Sequence, residues 1–331
     1  MLSYRVTSFD TPAEFIERKV KSPAAGQVLV QVAAAAVNFS DLLLLKGRYQ
    51  DTPPLPFTPG LEFSGRVIAC GPEVNQNLKN QRITAYAGHG GFAEQAFASA
   101  DRCLILPDNV SYVDAAGFQV AWGTTHIALS QRARLQSGET LVVLGAGGGV
   151  GLTAVKLGKL LGARVIAVAR GPRKLEAAEH AGADILIDSE TADIRETIIA
   201  AGRADVVYDP VGGEQFTAAF RACNPGARIL LIGFASGDIP EIPANHALVK
   251  NIDLIGVNWS GYWKFAPDIL IQSGRTLLNW LAEGKIEANV HHHFPLSGIE
   301  DALTLLRNRT STGKIVVLPT EKCLNRIKLH N

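Results

Sequence analysis

The stretch Leu141-Val-Val-Leu-Gly-Ala-Gly-Gly-Gly-Val-Gly151 decides the fold of this chain. An apolar run of strand length leads into a glycine-rich turn, and the turn opens a segment whose apolar residues recur at helical spacing. Glycine suits such a turn because it allows tight bending, close approach of a pyrophosphate, and packing of the helix on the strand. The helix N-terminus then offers free N–H groups and a positive dipole end to an anion. The sequence therefore predicts a dinucleotide-binding turn.

The predicted contacts to the pyrophosphate lie within this turn. They are Ala146, Gly148, Gly149, Val150 and Gly151. Alanine stands where the first glycine of G-x-G-x-x-G would be, and such a motif alone is weak evidence. A purely structural strand-turn-helix is the alternative interpretation. A preceding strand, a following helix and a second strand at the right distance favour the cofactor site.

Outward from the turn, short apolar runs alternate with segments of helix length. The predicted strands are 140–144, 164–169, 185–188, 205–209, 228–233 and 253–258. This alternation is typical of an α/β fold with a doubly wound parallel sheet. A helical pattern at 115–129 precedes the first of these strands.

The segments on either side of the sheet have a different pattern. Short strands at 28–32 and 63–69 are separated by glycine and proline turns, and a helical stretch at 299–307 precedes a strand at 314–318. We therefore predict a β-rich domain over 1–120, a nucleotide-binding domain over 121–260, and the second part of the β-rich domain over 261–331. From residue 320 the chain is expected to be a frayed or weakly docked tail.

Composition narrows the class of protein. The 331 residues carry 32 Lys plus Arg against 31 Asp plus Glu, and 47% of them are hydrophobic. Intrinsic disorder is excluded because the apolar content is ample and the net charge is near zero. The same balance removes the main support for a nucleic-acid or anionic-membrane partner. No apolar stretch is long enough for a membrane span, and no signal peptide is visible.

The four cysteines have no metal-binding or disulfide spacing. Cys70, Cys103, Cys223 and Cys323 form no C-x-x-C pair and no Cys/His cluster. We expect four free thiols in a reducing compartment, and hence a cytoplasmic protein.

The residues after the second predicted strand bear on cofactor choice. Sites for NAD carry Asp or Glu about 20 residues after the first glycine position, where it binds the ribose hydroxyls. Here Ala169 holds that place, and Arg170 and Lys174 follow it. Basic side chains, together with the lack of an acidic residue at position 169, favour binding of the 2′-phosphate of NADP(H). We therefore predict that Arg170 and Lys174 select NADP(H) over NAD(H). The alternative is a solvated charge run at the start of a helix.

Several motifs together resemble one family over nearly the whole chain. They are Ala35-Ala-Val-Asn38-Phe-Ser-Asp41, Pro59-Gly60-Leu61-Glu62-Phe-Ser-Gly65, Gly90-Gly-Phe-Ala-Glu94, Trp122-Gly-Thr124-Thr-His-Ile-Ala-Leu129, Gly145-Ala-Gly-Gly-Gly-Val-Gly151 and Thr312-Gly-Lys314-Ile-Val. The chain resembles the zinc-free quinone oxidoreductase (zeta-crystallin-like) branch of the medium-chain dehydrogenase/reductase superfamily. The resemblance implies a GroES-like β domain split by a Rossmann domain, and a homodimer.

The positions of the family's zinc ligands are altered here. Zinc-dependent relatives place Cys before Ser/Thr-Asp and His in Gly-His-Glu, whereas this chain has Asn38 and Leu61 at those places. Neither can replace a thiolate or an imidazole at Zn²⁺, so we expect no metal. His291-His292-His293 is interpreted as a partly exposed strand or turn, because three adjacent residues cannot all face one ion.

The resemblance implies hydride transfer from NADPH to a quinone or an α,β-unsaturated carbonyl. Asn38 matches the family's substrate-pocket amide, with a turn-capping role as the alternative. Tyr49 matches the tyrosine beside the nicotinamide, where it would orient substrate or relay a proton, with simple packing as the alternative. Both are the predicted catalytic residues.

Further cofactor contacts are carried over from the family or from strand ends. Thr124 matches the residue near the nicotinamide ribose or amide, and Lys314 matches a cofactor-side lysine that could equally be solvated. Phe234 and Asn258 follow the fifth and sixth strands, where ligands bind in parallel sheets. The aromatic residues from Trp259 to Phe265 are either core, a dimer contact, or a wall of the acceptor site.

Two other functions remain open at this stage. One is an enoyl-thioester or alkenal reductase on the same scaffold. The other is a non-enzymatic, crystallin-like protein that binds NADPH.

Overall fold

The computed structural model describes residues 1–319, which form two compact units. The central unit comprises residues 121–273, and the β-rich unit comprises residues 1–120 together with residues from 274 onward. Both limits fall inside helices, which begin at Gln119 and at Pro267. The second limit lies later than the expected residue 260 because the helix from Pro267 continues into the β-rich unit. The predicted C-terminal tail and Cys323 lie outside the described residues.

The central unit is built on six parallel strands. They are β8 (Thr140–Leu144), β9 (Arg164–Ala169), β10 (Ile185–Asp188), β11 (Ala204–Asp209), β12 (Cys223–Leu231) and β13 (Asp253–Gly256), numbered along the whole chain. Their order in the sheet is β10-β9-β8-β11-β12-β13, with every neighbouring pair parallel. The order reverses between β8 and β11, and ligands bind at such a switch point. The doubly wound parallel sheet is therefore confirmed.

Helices stand before, between and after these strands in the sequence. They are α3 (Gln119–His126), α4 (Gly149–Leu160), α5 (Gly171–His180), α6 (Ile194–Ala200), α7 (Gly213–Arg221), α8 (Ala244–Lys250), α9 (Tyr262–Phe265) and α10 (Pro267–Ala282), numbered along the whole chain, with a π-helical segment Ile127–Arg132 after α3. Helices α4 to α8 pack against this sheet. Every residue of β8 is buried, as expected for a strand packed on both faces. This packing explains why the strands stand out as continuous apolar runs.

The β-rich unit contains the remaining strands. They are β1 (Leu2–Arg5), β2 (Glu14–Glu17), β3 (Gln27–Val37), β4 (Glu62–Cys70), β5 (Arg82–Tyr86), β6 (Gln95–Ser99), β7 (Cys103–Ile105), β14 (Val290–Pro295) and β15 (Lys314–Leu318). The order β14-β15-β3-β4-β5-β7 forms one sheet, β6 also pairs with β3, and β1 pairs with β2. Strand β15 pairs antiparallel with β3 near Val37, which brings Lys314 beside Asn38. The partly exposed histidine strand, β14, is confirmed.

Short helices complete this unit. They are α1 (Phe39–Leu44), α2 (Tyr112–Ala116) and α11 (Ile299–Arg307), with 3₁₀ turns at Gln76–Leu78, Ala100–Arg102 and Leu296–Gly298. The single helix expected over 115–129 is interrupted at Gly117 and Phe118, between α2 and α3. The N–H of Val120, in the first turn of α3, donates to the Glu62 carboxylate at 2.9 Å. Within residues 1–319, no helix is both long and apolar enough to cross a membrane.

Candidate active site

The glycine turn links β8 to α4 at the switch point of the central sheet. Gly145 adopts a φ of 60°, a left-handed conformation that favours glycine. A Cβ at Gly151 would collide with the carbonyl oxygen of Gly145 and lie 2.8 Å from the Cα of Ala146. Glycine at these two positions is therefore required by the path of the backbone and by the packing of the helix.

Gly148 is different, because the protein itself does not require glycine there. A Cβ on Gly148 would meet only the Gly145 carbonyl oxygen, at 3.4 Å. Gly148, Gly149 and Val150 are partly exposed at the start of α4. The N–H of Gly148 donates to the Gly145 carbonyl at 3.0 Å, whereas the first N–H groups of the helix, at Gly149 and Val150, lack an intrahelical acceptor. The open surface at these amides can receive a phosphate oxygen.

The basic residues after β9 also lie beside this turn. Ala169 ends the strand, and Gly171 begins α5. A Cβ on Gly147 would lie 2.6 Å from the Cβ of Lys174, so the Lys174 stem passes directly over the turn. Arg170 pairs with Glu190 at 3.6 Å, and both side chains are more than half exposed. Such a surface pair contributes little free energy, so a phosphate can replace the carboxylate as the partner of Arg170.

A buried hydroxyl network supports the start of α4, and sequence reasoning missed it. The Thr125 hydroxyl lies 2.7 Å from that of Thr153 and 3.0 Å from the Tyr208 phenol oxygen. Thr153 donates in turn to the carbonyl of Val150 at 2.8 Å. Burial raises the pKa of Tyr208, which stays a neutral hydrogen-bonding group. The three hydroxyls come from α3, α4 and β11, so no local sequence pattern reveals them.

Phe234 and Asn258 line one cavity of about 520 Å³ at the carboxyl ends of β12 and β13. The Asn258 side chain accepts hydrogen bonds from Ser260, at 3.0 Å, and from the Gly261 backbone, at 3.3 Å. The structure thus brings both predicted residues to the edge of the sheet where ligands bind.

The aromatic residues after β13 divide between two of the three interpretations, core packing and the wall of a cavity. Trp259 is 6% exposed and packs against Gly123, so it is a core residue. Tyr262 and Phe265 line the cavity at the strand ends, with ring centroids 4.7 Å apart. Thr124, another predicted cofactor contact, is buried in α3.

In the β-rich unit, Asn38 belongs to a buried polar cluster. Its amide nitrogen donates to the Glu62 carboxylate at 3.0 Å, and its amide oxygen accepts from Lys314 Nζ at 2.6 Å. Lys314 also pairs with Glu62 at 3.0 Å, where Glu62 is fully buried and Lys314 is 4% exposed. The predicted cofactor-side lysine therefore has its partners in the β-rich unit. The amide of Asn38 is held in one orientation by a cation on its oxygen and an anion on its nitrogen.

Asp41 fixes the backbone beneath this cluster. Its fully buried carboxylate accepts the backbone N–H of Asn38 at 2.8 Å and that of Gly60 at 2.9 Å. Burial raises the pKa of Asp41 to about 7, against the opposing effects of these two hydrogen bonds and of Lys314. Tyr49 lies beyond this cluster, half-buried in the loop after α1, and begins a turn that the Thr52 N–H closes.

Comparisons with known proteins match both units. Residues 24–108 match the alcohol dehydrogenase GroES-like domain, and residues 149–275 match the zinc-binding dehydrogenase family. Quinone oxidoreductase-like protein 2 of Bos taurus is 34% identical over 295 residues, which cover 88% of this chain and 84% of that protein.

Solved structures agree with this assignment. A mycobacterial protein complexed with NADPH has a TM-score of 0.89 and 25% identity, covering 96% of this chain and 100% of its own. The quinone oxidoreductase of Thermus thermophilus, solved alone and with NADPH, has a TM-score of 0.83 and 28% identity, again covering 96% and 100%. The chain is thus an oxidoreductase of the medium-chain dehydrogenase/reductase superfamily, and it belongs to the branch that contains the zinc-free quinone oxidoreductases.

Proposed function

We propose that this protein is an NADPH-dependent reductase that transfers hydride to a quinone or an α,β-unsaturated carbonyl without a catalytic metal. The observation that carries the proposal is the Asn38 amide, which Glu62 and Lys314 hold in place where metal-dependent relatives have a zinc ligand. A fixed amide N–H is a donor to a carbonyl oxygen, and it stabilises the negative charge that develops there.

The central unit fits the nucleotide half of NADPH. The open amides at Gly149 and Val150 suit the pyrophosphate, and the cations of Arg170 and Lys174 suit the 2′-phosphate. Relatives of the same fold were solved with NADPH. When bound, the reduced nicotinamide supplies the hydride.

The residues around Asn38 do not fit a zinc ion. The Glu62 carboxylate already has a buried ammonium group at 3.0 Å, and a divalent cation at the same place would be repelled by Lys314. Leu61, which stands at the family's histidine place, is 1% exposed and offers no ligand atom. The residue types therefore favour a metal-free site.

We assign to Asn38 the binding of the substrate's carbonyl oxygen. The Asn38 side-chain amide has two N–H bonds. One donates a hydrogen bond to the Glu62 carboxylate, and the other is available to donate to the substrate oxygen. The bond from Lys314 to the amide oxygen polarises the group and strengthens this donor. Conjugated acceptors suit such a site, because they delocalise the incoming charge and need no Lewis acid. The proton that completes the reaction comes from Tyr49 or from water.

The proposed reductase activity is tested directly by offering the enzyme a panel of hydride acceptors. NADPH consumption is measured with an ortho-quinone, a para-quinone, an enal and an enoyl-CoA at fixed enzyme concentration. We expect turnover with quinones or enals that exceeds turnover with enoyl-CoA. Tight NADPH binding with no turnover across the panel would refute the reductase assignment. Preferred turnover of enoyl-CoA would instead identify a thioester reductase.

Cofactor choice has its own test and control. We expect wild-type protein to prefer NADPH over NADH in kcat/KM, and Arg170→Ala to lower that ratio about tenfold, as loss of one charge-assisted phosphate contact implies. Arg173→Ala removes an exposed cation of the same run and serves as the control. A wild-type preference for NADH would contradict the assignment. The homodimer, the cytoplasmic location and the lack of a nucleic-acid partner stay predictions.

A further inference from the structure

The β-rich unit contains a second cavity that shares no residue with the proposed active site. Its volume is about 350 Å³. Three basic side chains line it, namely Arg5 at the end of β1, Arg18 just after β2, and His89 in the loop after β5. The rest of the wall is mainly apolar and includes Pro54 and Phe97.

Within residues 1–319, no acidic side chain pairs with the basic groups of this cavity. Among residues 1–319, no ion pair within 4.0 Å joins Arg5, Arg18 or His89 to a carboxylate. The nearest acids along the strands, Glu14 and Glu17, have exposed side chains. Burial, and to a smaller extent the charge of Arg18, lower the pKa of His89.

Two buried donors that belong to residues of the cavity wall lack partners in the described part of the chain. Arg18 Nε is buried without a hydrogen bond, and so is the hydroxyl of Thr58, a residue that is only 5% exposed. Buried polar groups are nearly always paired, so each unpaired one needs an explanation. Arg5, in contrast, is oriented by a bond from Nη2 to the Pro56 carbonyl at 2.9 Å. Unpaired donors and arginines without acidic partners, on residues that line one cavity, are features that an anion would satisfy.

We propose that this cavity binds a small phosphomonoester. The guanidinium groups of Arg5 and Arg18 take the phosphate oxygens, and the Thr58 hydroxyl donates a further hydrogen bond. Arginine suits phosphate because its planar fork matches two oxygens at once, and several donors favour a phosphate over a carboxylate. The proline and phenylalanine wall contacts the organic group. This site is separate from the glycine turn of the central unit, so it goes beyond the proposed function.

The test is calorimetric titration of the full chain with phenyl phosphate, inorganic phosphate and benzoate. Saturating NADPH is present throughout, so that the glycine turn is already occupied. We expect phenyl phosphate to bind most tightly of the three. Equal affinity for inorganic phosphate would refute the role of the apolar wall, and tighter binding of benzoate would refute the choice of phosphate. Absence of binding in wild-type protein would overturn the proposal.

Two variants and a matched control locate the site. Arg18→Gln should weaken phenyl phosphate binding at least tenfold, while Lys19→Gln, which removes one charge from the neighbouring exposed residue, should change it less than twofold. Thr58→Val replaces the hydroxyl by a methyl group of similar size and should also weaken binding. Circular dichroism checks the fold of each variant, and Thr58→Val decides the matter if Arg18→Gln does not fold. Equal affinities in wild type, Arg18→Gln and Thr58→Val would place the ligand elsewhere and refute the site.

Discussion

The buried pair between Lys314 and Glu62 makes a sharp prediction about stability. In Lys314→Met the side chain keeps its length and loses its charge. Glu62 is fully buried and would keep only the hydrogen bonds from Asn38 and from the Val120 N–H. Removing one partner of a buried ion pair costs about 3–5 kcal/mol, because the other charge is left uncompensated. We therefore expect the free energy of unfolding to fall by about that amount.

The assay is urea unfolding followed by far-UV circular dichroism at neutral pH. Glu62→Gln and the double variant Lys314→Met/Glu62→Gln complete a double-mutant cycle, and the double variant should lose less than the sum of the single losses. Lys285→Met is the control, because Lys285 pairs with Glu283 at 2.7 Å while both side chains are more than half exposed. Exposed pairs of this kind contribute only about 0.2–1 kcal/mol.

Two results would refute this reasoning. One is a loss in Lys314→Met no larger than in Lys285→Met, which would mean that Glu62 is solvated in the folded protein. The other is strict additivity in the cycle, which would mean that the two side chains do not interact. A loss of NADPH turnover in Lys314→Met at temperatures where the protein is folded would add evidence that Lys314 positions the Asn38 amide.

Three further predictions follow from the same structure. Gly151→Ala should abolish NADPH binding and lower the thermal midpoint, because the new Cβ collides with the Gly145 carbonyl; fluorescence titration showing wild-type affinity would contradict this. The raised pKa of Asp41, about 7, makes the folded state bind more protons than the unfolded state between roughly pH 4 and 7. Stability should therefore fall as pH rises through that range, by up to about 1.4 kcal/mol per pH unit, and Asp41→Asn should remove this contribution; identical pH profiles in urea unfolding would exclude it. Tyr208→Phe should cost about 1 kcal/mol by breaking the bond to Thr125 and should weaken NADPH binding; an unchanged dissociation constant would separate this network from the cofactor.

The central sheet was predictable because buried parallel strands leave a strong local pattern. Residues 140–144, 164–169 and 185–188 form strands with the predicted limits. In contrast, β3 continues to Val37, well past the predicted end at residue 32, through a run of four alanines that has no strand periodicity. Residues 33–37 are held in a strand by pairing with β4 and β15, and the sequence alone does not show which strands will pair. Strand β12 likewise starts five residues before the predicted start, across Pro225 and Gly226, which favour a turn.

The candidate site was only partly predictable, for a related reason. The residues of the glycine turn and Lys174 lie on consecutive elements, so spacing alone indicates that they are close. The partners of Asn38 come from β4 and β15, and the bond from Lys314 to Asn38 spans 276 positions. No local pattern connects such residues. Family resemblance identified Lys314 as important, whereas only the structure shows which groups it contacts.

The split of the β-rich unit also determines the order in which the ribosome completes the two units. The central unit is one continuous segment, whereas the β-rich unit consists of two segments. Strand β3 can pair with β15 only after residues 314–318 have been synthesised. Domains fold as units while synthesis proceeds at about 5–20 residues per second. For several seconds we therefore expect the nascent chain to carry a folded central sheet and an open edge at residues 35–37, where a second nascent chain could pair. The arrival of β15 closes that edge and delivers Lys314 to Glu62 in the same step.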